Sequence, residues 1–174
     1  RETNIERVRF ITSHLWDFTD RMIEVIKKYP NIMPHIHLPI QSGSNKILKL
    51  MGRRYTREDY KVLFDKLKKI DGVSITTDII VGFPGEKDEE FNETCEFSRK
   101  IGFTKIHVFP YSRRAGTKAD LMPNQIDEKI KKERVNKLIQ VSDELENNYL
   151  DRFINREVEV LIENLPLIVE AAIE

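Results

Sequence analysis

The fold is decided by the stretch VSITTDIIVGF, residues 73–83. This stretch is almost continuously apolar towards its end, which is typical of a parallel β-strand covered on both faces. Gly72 precedes it and Pro84 and Gly85 follow it, so residues that break regular structure mark both ends. Asp78 interrupts the apolar run, and a carboxylate there costs several kcal/mol unless hydrogen bonds or a cation compensate it. Asp78 is therefore a candidate for binding a hydroxyl or an amine, with a satisfied structural carboxylate as the alternative.

Strand-like and helix-like segments alternate on both sides of this stretch. Further strands are predicted at residues 8–12, 36–40 and 105–111, and a last alternating segment follows at residues 158–162. The predicted helices are residues 19–28, 46–51, 56–70, 89–100 and 125–153. Four successive strand–helix units indicate an α/β fold with parallel strands and outer helices.

Two α/β architectures compete for this pattern. A doubly wound sheet would offer a glycine-rich phosphate loop, and neither GxGxxG nor GxxxxGK[ST] occurs in the chain. Polar segments instead follow the strands, at residues 12–14, 41–44, 82–86 and 111–114, where a barrel places its functional groups. Each segment could also be a simple turn. Because a complete eight-unit barrel takes about 250 residues, the chain is expected to form part of a TIM-type barrel.

Composition excludes several classes of protein. The chain has 174 residues, 29 Lys and Arg, 29 Asp and Glu, and 40% hydrophobic residues, which suits one ordinary domain with a core. No apolar run reaches the ~18 residues of a membrane span and no secretory leader is present, so a cytoplasmic protein is expected. Since the first residue is Arg1 rather than Met, we expect a piece of a longer protein.

Charge is distributed unevenly and predicts a nucleic-acid partner. Residues 1–70 contain 15 Lys and Arg against 8 Asp and Glu, whereas residues 71–174 contain 14 against 21. A basic region is the usual footprint of nucleic-acid or phosphate binding, although solvated surface cations are the alternative. Guanidinium groups suit phosphates and stack on unpaired bases. The candidate RNA-binding residues are Arg53, Arg54, Arg57, Arg113 and Arg114.

The histidines and the cysteine do not predict a metal site. His35 and His37 share one face of their strand, and His107 lies on another, but no carboxylate stands at ligand spacing beside them in the sequence. Cys95 is alone and lies among apolar neighbours, so it is expected to be a buried thiol. One thiolate cannot hold an iron–sulfur cluster.

Four linked motifs give the chain a specific resemblance. They read HLPIQSGS at residues 37–44, KLMGRRYTR at 49–57, TDIIVGFPGE at 77–86 and FPYSRRAGT at 109–117. With these motifs in order, residues 5–163 resemble the radical S-adenosylmethionine methylthiotransferases. The resemblance implies a six-unit partial radical-SAM barrel, of which residues 1–154 would be the last four units. Residues 155–174 would begin a TRAM-like RNA-binding domain that is incomplete here.

The resemblance also implies cofactors and an enzyme. The family binds S-adenosylmethionine and 4Fe-4S clusters, and its CxxxCxxC motif is absent here, so the cluster ligands would lie outside this sequence. The intact protein would be an enzyme and this chain alone would be inactive. No catalytic residue is assigned. By position, the cofactor-binding residues would be Gln41, Ser42, Ser44, Asp78, Val108, Phe109 and Tyr111.

The substrate implied by the resemblance is a modified adenosine beside a tRNA anticodon, which receives a methylthio group at C2. Residues 106–112 (IHVFPYS) favour the threonylcarbamoyl-adenosine branch, while residues 10–14 (FITSH) are nearer the isopentenyl-adenosine branch. A ribosomal-protein aspartate ranks next, because that branch tends to have QHGS where residues 41–44 read QSGS. A non-catalytic RNA-binding module and an aldolase- or isomerase-type barrel rank last. An exposed strand edge at residues 8–12 would favour self-association.

Overall fold

A computed structural model describes residues 4–10, 15 and 18–158. Its centre is a parallel sheet of three strands in the order β1 (His35–His37), β2 (Ser74–Val81) and β3 (Lys105–Pro110). The helices are α1 (Asp20–Lys28), α2 (Asn45–Leu50), α3 (Arg57–Leu67), α4 (Asp88–Ile101) and α5 (Glu128–Leu150). The predicted α/β fold with parallel strands is confirmed. Within the described residues, no helix combines the length and apolar character needed to cross a bilayer.

Strand register sorts the side chains of the sheet onto two faces. Ile36 pairs with Ile75 across β1 and β2, and Ile106 pairs with Thr77 across β2 and β3. All four side chains are buried, and the three isoleucines belong to the core. Because successive side chains of a strand point to opposite faces, the residues between them form a second face. Side chains on that face are more open to solvent, as at Asp78.

An aromatic cluster joins α3 to the sheet and to α4. The Tyr60 ring lies 6.0–6.5 Å, between ring centroids, from the rings of Phe64, Phe97 and Phe103. Its hydroxyl is fully buried and donates to the Leu38 carbonyl at 2.8 Å. Burial raises the pKa of this phenol well above its usual value, so the hydroxyl stays protonated and remains a donor. The Tyr60 hydrogen bond therefore fixes the segment after β1 to α3.

Local capping signals predicted the helix starts well. Thr56 caps α3, where its hydroxyl accepts from the Asp59 amide at 3.1 Å and the Asp59 carboxylate accepts from the Thr56 amide at 2.9 Å. This reciprocal pair satisfies donors that a helix start leaves open. At the other end of a helix, Gly102 follows α4 with φ of 73°, in the left-handed region where glycine carries no steric penalty.

Several predicted segments differ from the structure, and the strand predicted at residues 36–40 is observed at His35–His37. Of the predicted strand at residues 8–12, the described part forms only a bridge from Val8 to Ile32, and residues 11 and 12 lie outside the described residues. The helix predicted at residues 125–153 begins three residues later, at Glu128, because Asp127 is its cap and accepts from the Lys129 amide at 2.8 Å. The helix is followed by a 3₁₀ turn at Asp151–Phe153. Residues 159–174 of the predicted TRAM-like segment lie outside the described residues.

A buried ion pair fixes the loop after β2 to α5. Arg134 Nη1 donates to Glu86 Oε2 at 2.9 Å and to the Glu86 carbonyl at 3.0 Å, and the two side chains are only 7% and 1% exposed. The Gly82 amide donates to the same carboxylate at 2.7 Å. Burial nevertheless raises the pKa of Glu86, because desolvation outweighs these favourable partners. The pair therefore depends on both members being present.

Gly82 is required in this loop for two reasons. Its φ of 72° lies in the left-handed region, and an added Cβ would stand 2.4 Å from Cγ of Lys131. Lys131 is buried on the first turn of α5. The loop and the helix therefore approach too closely for a side chain at residue 82.

Removing Arg134 should destabilise the chain strongly. We expect Arg134→Met to lower the free energy of unfolding by about 3–5 kcal/mol, because it leaves the buried Glu86 carboxylate without its cation. Urea denaturation measures this change. The matched control is Arg99→Met, whose ion pair with Glu144 is half-exposed, and which should cost less than about 1 kcal/mol. Equal losses in the two variants would contradict the assigned role of the buried pair.

Candidate functional site

A cleft of about 570 Å³ opens at the carboxyl ends of β2 and β3, beside the segment that follows β1. This is the edge of the sheet at which the sequence predicted functional groups. Six of the predicted site residues line it: Gln41, Arg53, Asp78, Phe109, Tyr111 and Arg114. The fold therefore gathers predicted cofactor-binding and RNA-binding residues in one place.

Gln41 is held in an uncommon backbone conformation at the mouth of the cleft. Its φ is 75°, which costs a non-glycine residue energy and is maintained only by surrounding contacts. The Gln41 amide donates to the Asp78 carbonyl at 2.9 Å, and the Ile80 amide donates to the Gln41 carbonyl at 3.0 Å. These bonds extend the pairing of β1 with β2 by one bridge. Gln41 is thus the bridge partner of Ile79, and both Gln41 and Asp78 line the cleft.

Asp78 and two histidines meet on the open face of the sheet. His37 Nε2 lies 3.2 Å from Asp78 Oδ2, and His107 is the register partner of Asp78 on β3. His37 Nδ1 shares a hydrogen bond of 2.9 Å with Thr76 Oγ1. The sequence did not predict a metal site because no carboxylate stood at ligand spacing beside the histidines. That argument does not hold in the folded chain, where strand pairing supplies the carboxylate.

His35 lies on the same face but takes no part in this group. Its Nδ1 shares a hydrogen bond of 2.8 Å with Ser74 Oγ. Burial lowers the pKa of the His35 imidazole, and electrostatic interactions with Arg9 and the two neighbouring histidines lower it further. The ring is therefore neutral around neutral pH.

One wall of the cleft is aromatic and carries unsatisfied polar atoms. Phe109 is half exposed on β3, and the ring of Tyr111 packs edge-on against Phe83 at 5.1 Å between centroids. The Tyr111 hydroxyl and Arg53 Nε are buried without a hydrogen-bond partner among the described residues. Buried polar groups are normally bonded, and Tyr111 and Arg53 both line the cleft, so these two atoms are candidate hydrogen-bonding groups beside it.

Three predicted cofactor-binding residues do not line the cleft. The Ser42 hydroxyl is buried against Thr94 of α4, with 3.3 Å between the two hydroxyl oxygens. Ser44 is buried at the start of α2, and its amide donates to Ser42 Oγ at 3.2 Å. Gly43 between them approaches α4 so closely that a Cβ would stand 2.7 Å from Thr94 Cα. Ser42 therefore holds the loop against α4, and the Ser44 amide supports the Ser42 hydroxyl.

Val108 is the third of these residues, and strand alternation explains its position. Its neighbours His107 and Phe109 project towards the open face, so Val108 projects towards the helices and packs against the core. The sequence proposal grouped Val108 with Phe109 and Tyr111 as cofactor-binding residues without separating the two faces of the strand.

The predicted RNA-binding arginines fall into two groups. Arg53 and Arg114 line the cleft, and Arg54 is exposed beside it in sequence. The Arg53 and Arg114 side chains are therefore placed to meet an anion at the cleft.

The other two arginines are engaged elsewhere. Arg57 donates to Glu58 Oε1 at 3.0 Å and to the Gly43 carbonyl at 3.3 Å. Arg113 donates to the Asp120 carboxylate and to its carbonyl, each at 2.9 Å. The turn that holds Asp120, Lys118–Leu121, was not predicted from the sequence. These arginines stabilise loops around the cleft.

The residues of the chain fit S-adenosylmethionine but not an iron–sulfur cluster. A carboxylate, an amide, an aromatic wall and two unpartnered donors suit a ligand with hydroxyls, an adenine and a carboxylate. The cluster requires three or four thiolates, whereas Cys95 is the single cysteine of the sequence and is buried in α4. Burial also raises the pKa of its thiol. No cluster can therefore be held by this chain alone.

Comparison with known proteins places the chain in a family. The sequence model of the Radical SAM superfamily matches residues 1–98. The chain is 48% identical over 161 residues to a tRNA-2-methylthio-N(6)-dimethylallyladenosine synthase of Staphylococcus haemolyticus, covering 92% of this chain and 31% of that protein. It is 44% identical over 164 residues to the threonylcarbamoyladenosine tRNA methylthiotransferase MtaB of Bacillus subtilis, covering 94% and 36%. The chain thus spans about a third of the length of these relatives.

A solved structure shares the fold. Coproporphyrinogen III oxidase (HemN) from Escherichia coli, a radical SAM enzyme, superposes with a TM-score of 0.61 at 18% identity, covering 78% of this chain and 32% of that one. This likeness confirms the predicted partial radical-SAM barrel. Together with the match over more than half of the sequence, it leads to one conclusion: the chain belongs to the Radical SAM superfamily.

Proposed function

We propose that the chain is the part of a tRNA methylthiotransferase that holds S-adenosylmethionine against the RNA substrate. The observation that carries this proposal is the cleft at the carboxyl ends of the strands, where Asp78, Gln41 and an aromatic wall meet two unpartnered donors. The relatives named as tRNA methylthiotransferases support the reaction class. In the intact protein, a methylthio group would be added to C2 of a modified adenosine beside the anticodon.

Each cleft residue has a chemical role in this proposal. Asp78 and Gln41 bind the hydroxyl and amine groups of the cofactor, because a carboxylate accepts and an amide both donates and accepts. Phe109 and Tyr111 flank the adenine, and Arg53 donates to the cofactor carboxylate. When bound and reduced by one electron from the cluster outside this sequence, S-adenosylmethionine would supply the radical chemistry for hydrogen abstraction. The cleft residues orient the cofactor and exclude water.

The remaining parts of the protein are also proposals. Residues 1–154 would supply the last four units of the barrel, and residues 155–174 would begin a TRAM-like domain. The radical-generating cluster would be held by cysteines outside this sequence. The partner would be the anticodon region of a tRNA in the cytoplasm.

The modified adenosine is proposed from the sequence motifs. Threonylcarbamoyl-adenosine is favoured because of residues 106–112, and isopentenyl-adenosine is the alternative because of residues 10–14. Relatives named for both substrates match at similar identity. Mass spectrometry of tRNA from cells lacking the intact protein should show loss of the methylthio form of threonylcarbamoyl-adenosine. Loss of the methylthio isopentenyl form would select the alternative, and loss of neither would contradict the proposed function.

Asp78→Asn should weaken S-adenosylmethionine binding by about 10–100-fold, because a charge-assisted hydrogen bond contributes about 1.5–3 kcal/mol. Isothermal titration calorimetry on the 174-residue chain measures this change. The matched control is Asp71→Asn, an exposed carboxylate just before β2 and outside the residues that line the cleft. The assignment would be refuted by unchanged binding in Asp78→Asn, or by equal losses in the two variants.

Arg114→Gln should weaken tRNA binding by the intact protein. The slope of log K against log salt concentration should fall by about one, because one phosphate contact is lost. Arg113→Gln is the matched control, and a smaller effect is expected because Asp120 already engages Arg113. Filter binding at several salt concentrations separates the two. Tight, salt-sensitive tRNA binding by the 174-residue chain alone would instead favour a non-catalytic RNA-binding module.

A further inference from the structure

We propose that His37, Asp78 and His107 form a binding site for a divalent metal ion that accepts both nitrogen and oxygen ligands, of which Zn²⁺ is the best fit. The three residues lie on adjacent strands of one sheet, and each offers one ligand atom. These atoms all lie within 4.8 Å of one another. Nothing in the sequence order indicates the site, because the ligands come from three separate strands.

The donor set and the spacing both suit zinc. Zn²⁺ is bound by imidazole nitrogens and carboxylate oxygens at about 2.0–2.2 Å, so ligand atoms around a tetrahedral ion are roughly 3.3–3.6 Å apart. The 3.2 Å between His37 Nε2 and Asp78 Oδ2 is already close to this spacing. His107 is exposed and makes no hydrogen bond within the described residues, so its ring can move inward by the remaining distance.

The surroundings of His37 match those of a metal ligand. Ligating histidines usually hold their second ring nitrogen in a hydrogen bond that fixes the orientation of the ring. Thr76 Oγ1 lies 2.9 Å from His37 Nδ1 and accepts a hydrogen bond from Nδ1–H when Nε2 coordinates the ion. Thr76 is itself buried in β2, which makes this support rigid.

The site also accounts for a carboxylate that lacks a permanent cation. Among the described residues, His37 is the partner of the Asp78 side chain, and no Lys or Arg pairs with it. The carboxylate brings one negative charge to the site, which a divalent ion overcompensates. Three protein ligands leave a coordination position open, as in sites where a metal binds water or a substrate atom. The second oxygen of Asp78 remains available to a ligand in the cleft.

Titration of the untagged 174-residue chain with Co²⁺, followed by visible absorption, and with Zn²⁺, followed by calorimetry, tests the site. We expect one ion per chain. His107→Ala should weaken binding at least tenfold without unfolding the chain, because His107 is exposed. Thr76→Val should weaken it about tenfold through the lost support of His37. His35→Ala is the matched control and should bind within about twofold of the unmodified chain, because His35 lies on the same face outside the ligand group.

Two results would overturn the proposal. The first is the absence of saturable binding at one equivalent, and the second is a loss in His35→Ala as large as that in His107→Ala. Because S-adenosylmethionine is absent from the titration and His107 does not line the cleft, failure here leaves the proposed function untouched.

Discussion

The parallel register of the three strands is the constraint on which the rest of the structure depends. It pairs Ile36 with Ile75 on the side covered by helices, and Asp78 with His107 on the open side. A shift of one residue would turn a core side chain outward and a polar one inward. The burial of the apolar face therefore also determines which polar groups meet. Site geometry and core packing are two consequences of one pairing.

The cleft depends on a second set of contacts, which hold the loops at the carboxyl ends of the strands. The Glu86–Arg134 pair and the close approach of Gly82 to Lys131 fasten the loop after β2 to α5. Gly43 fastens the loop after β1 to α4. None of the residues in these anchors is among those that line the cleft within the described part of the chain. The protein thus uses its buried polar loop residues for positioning and leaves Asp78, Tyr111 and Arg53 for a ligand.

Local signals were predictable from the sequence, whereas meetings across strands were not. The capping pair of Thr56 and Asp59 spans three residues, so its pattern is visible in the chain itself. The meeting of His37 with Asp78 depends on register, which no local pattern specifies. Val108 shows the same limit on a smaller scale, since its position follows from the face on which β3 places it. Arg113 and Arg114 are neighbours in sequence, and both were predicted to bind RNA. In the structure Arg113 is bonded to Asp120 in a turn that was not predicted, whereas Arg114 lines the cleft.

The central claim is that this cleft binds S-adenosylmethionine. The most direct measurement is an amide NMR titration of the ¹⁵N-labelled 174-residue chain with S-adenosylmethionine. The account predicts shift changes that saturate and that concentrate at Gln41, at Asp78 to Phe83 and at Phe109 to Arg114. Saturating shifts confined to the helices on the far side of the sheet, or no shifts at millimolar cofactor, would contradict it.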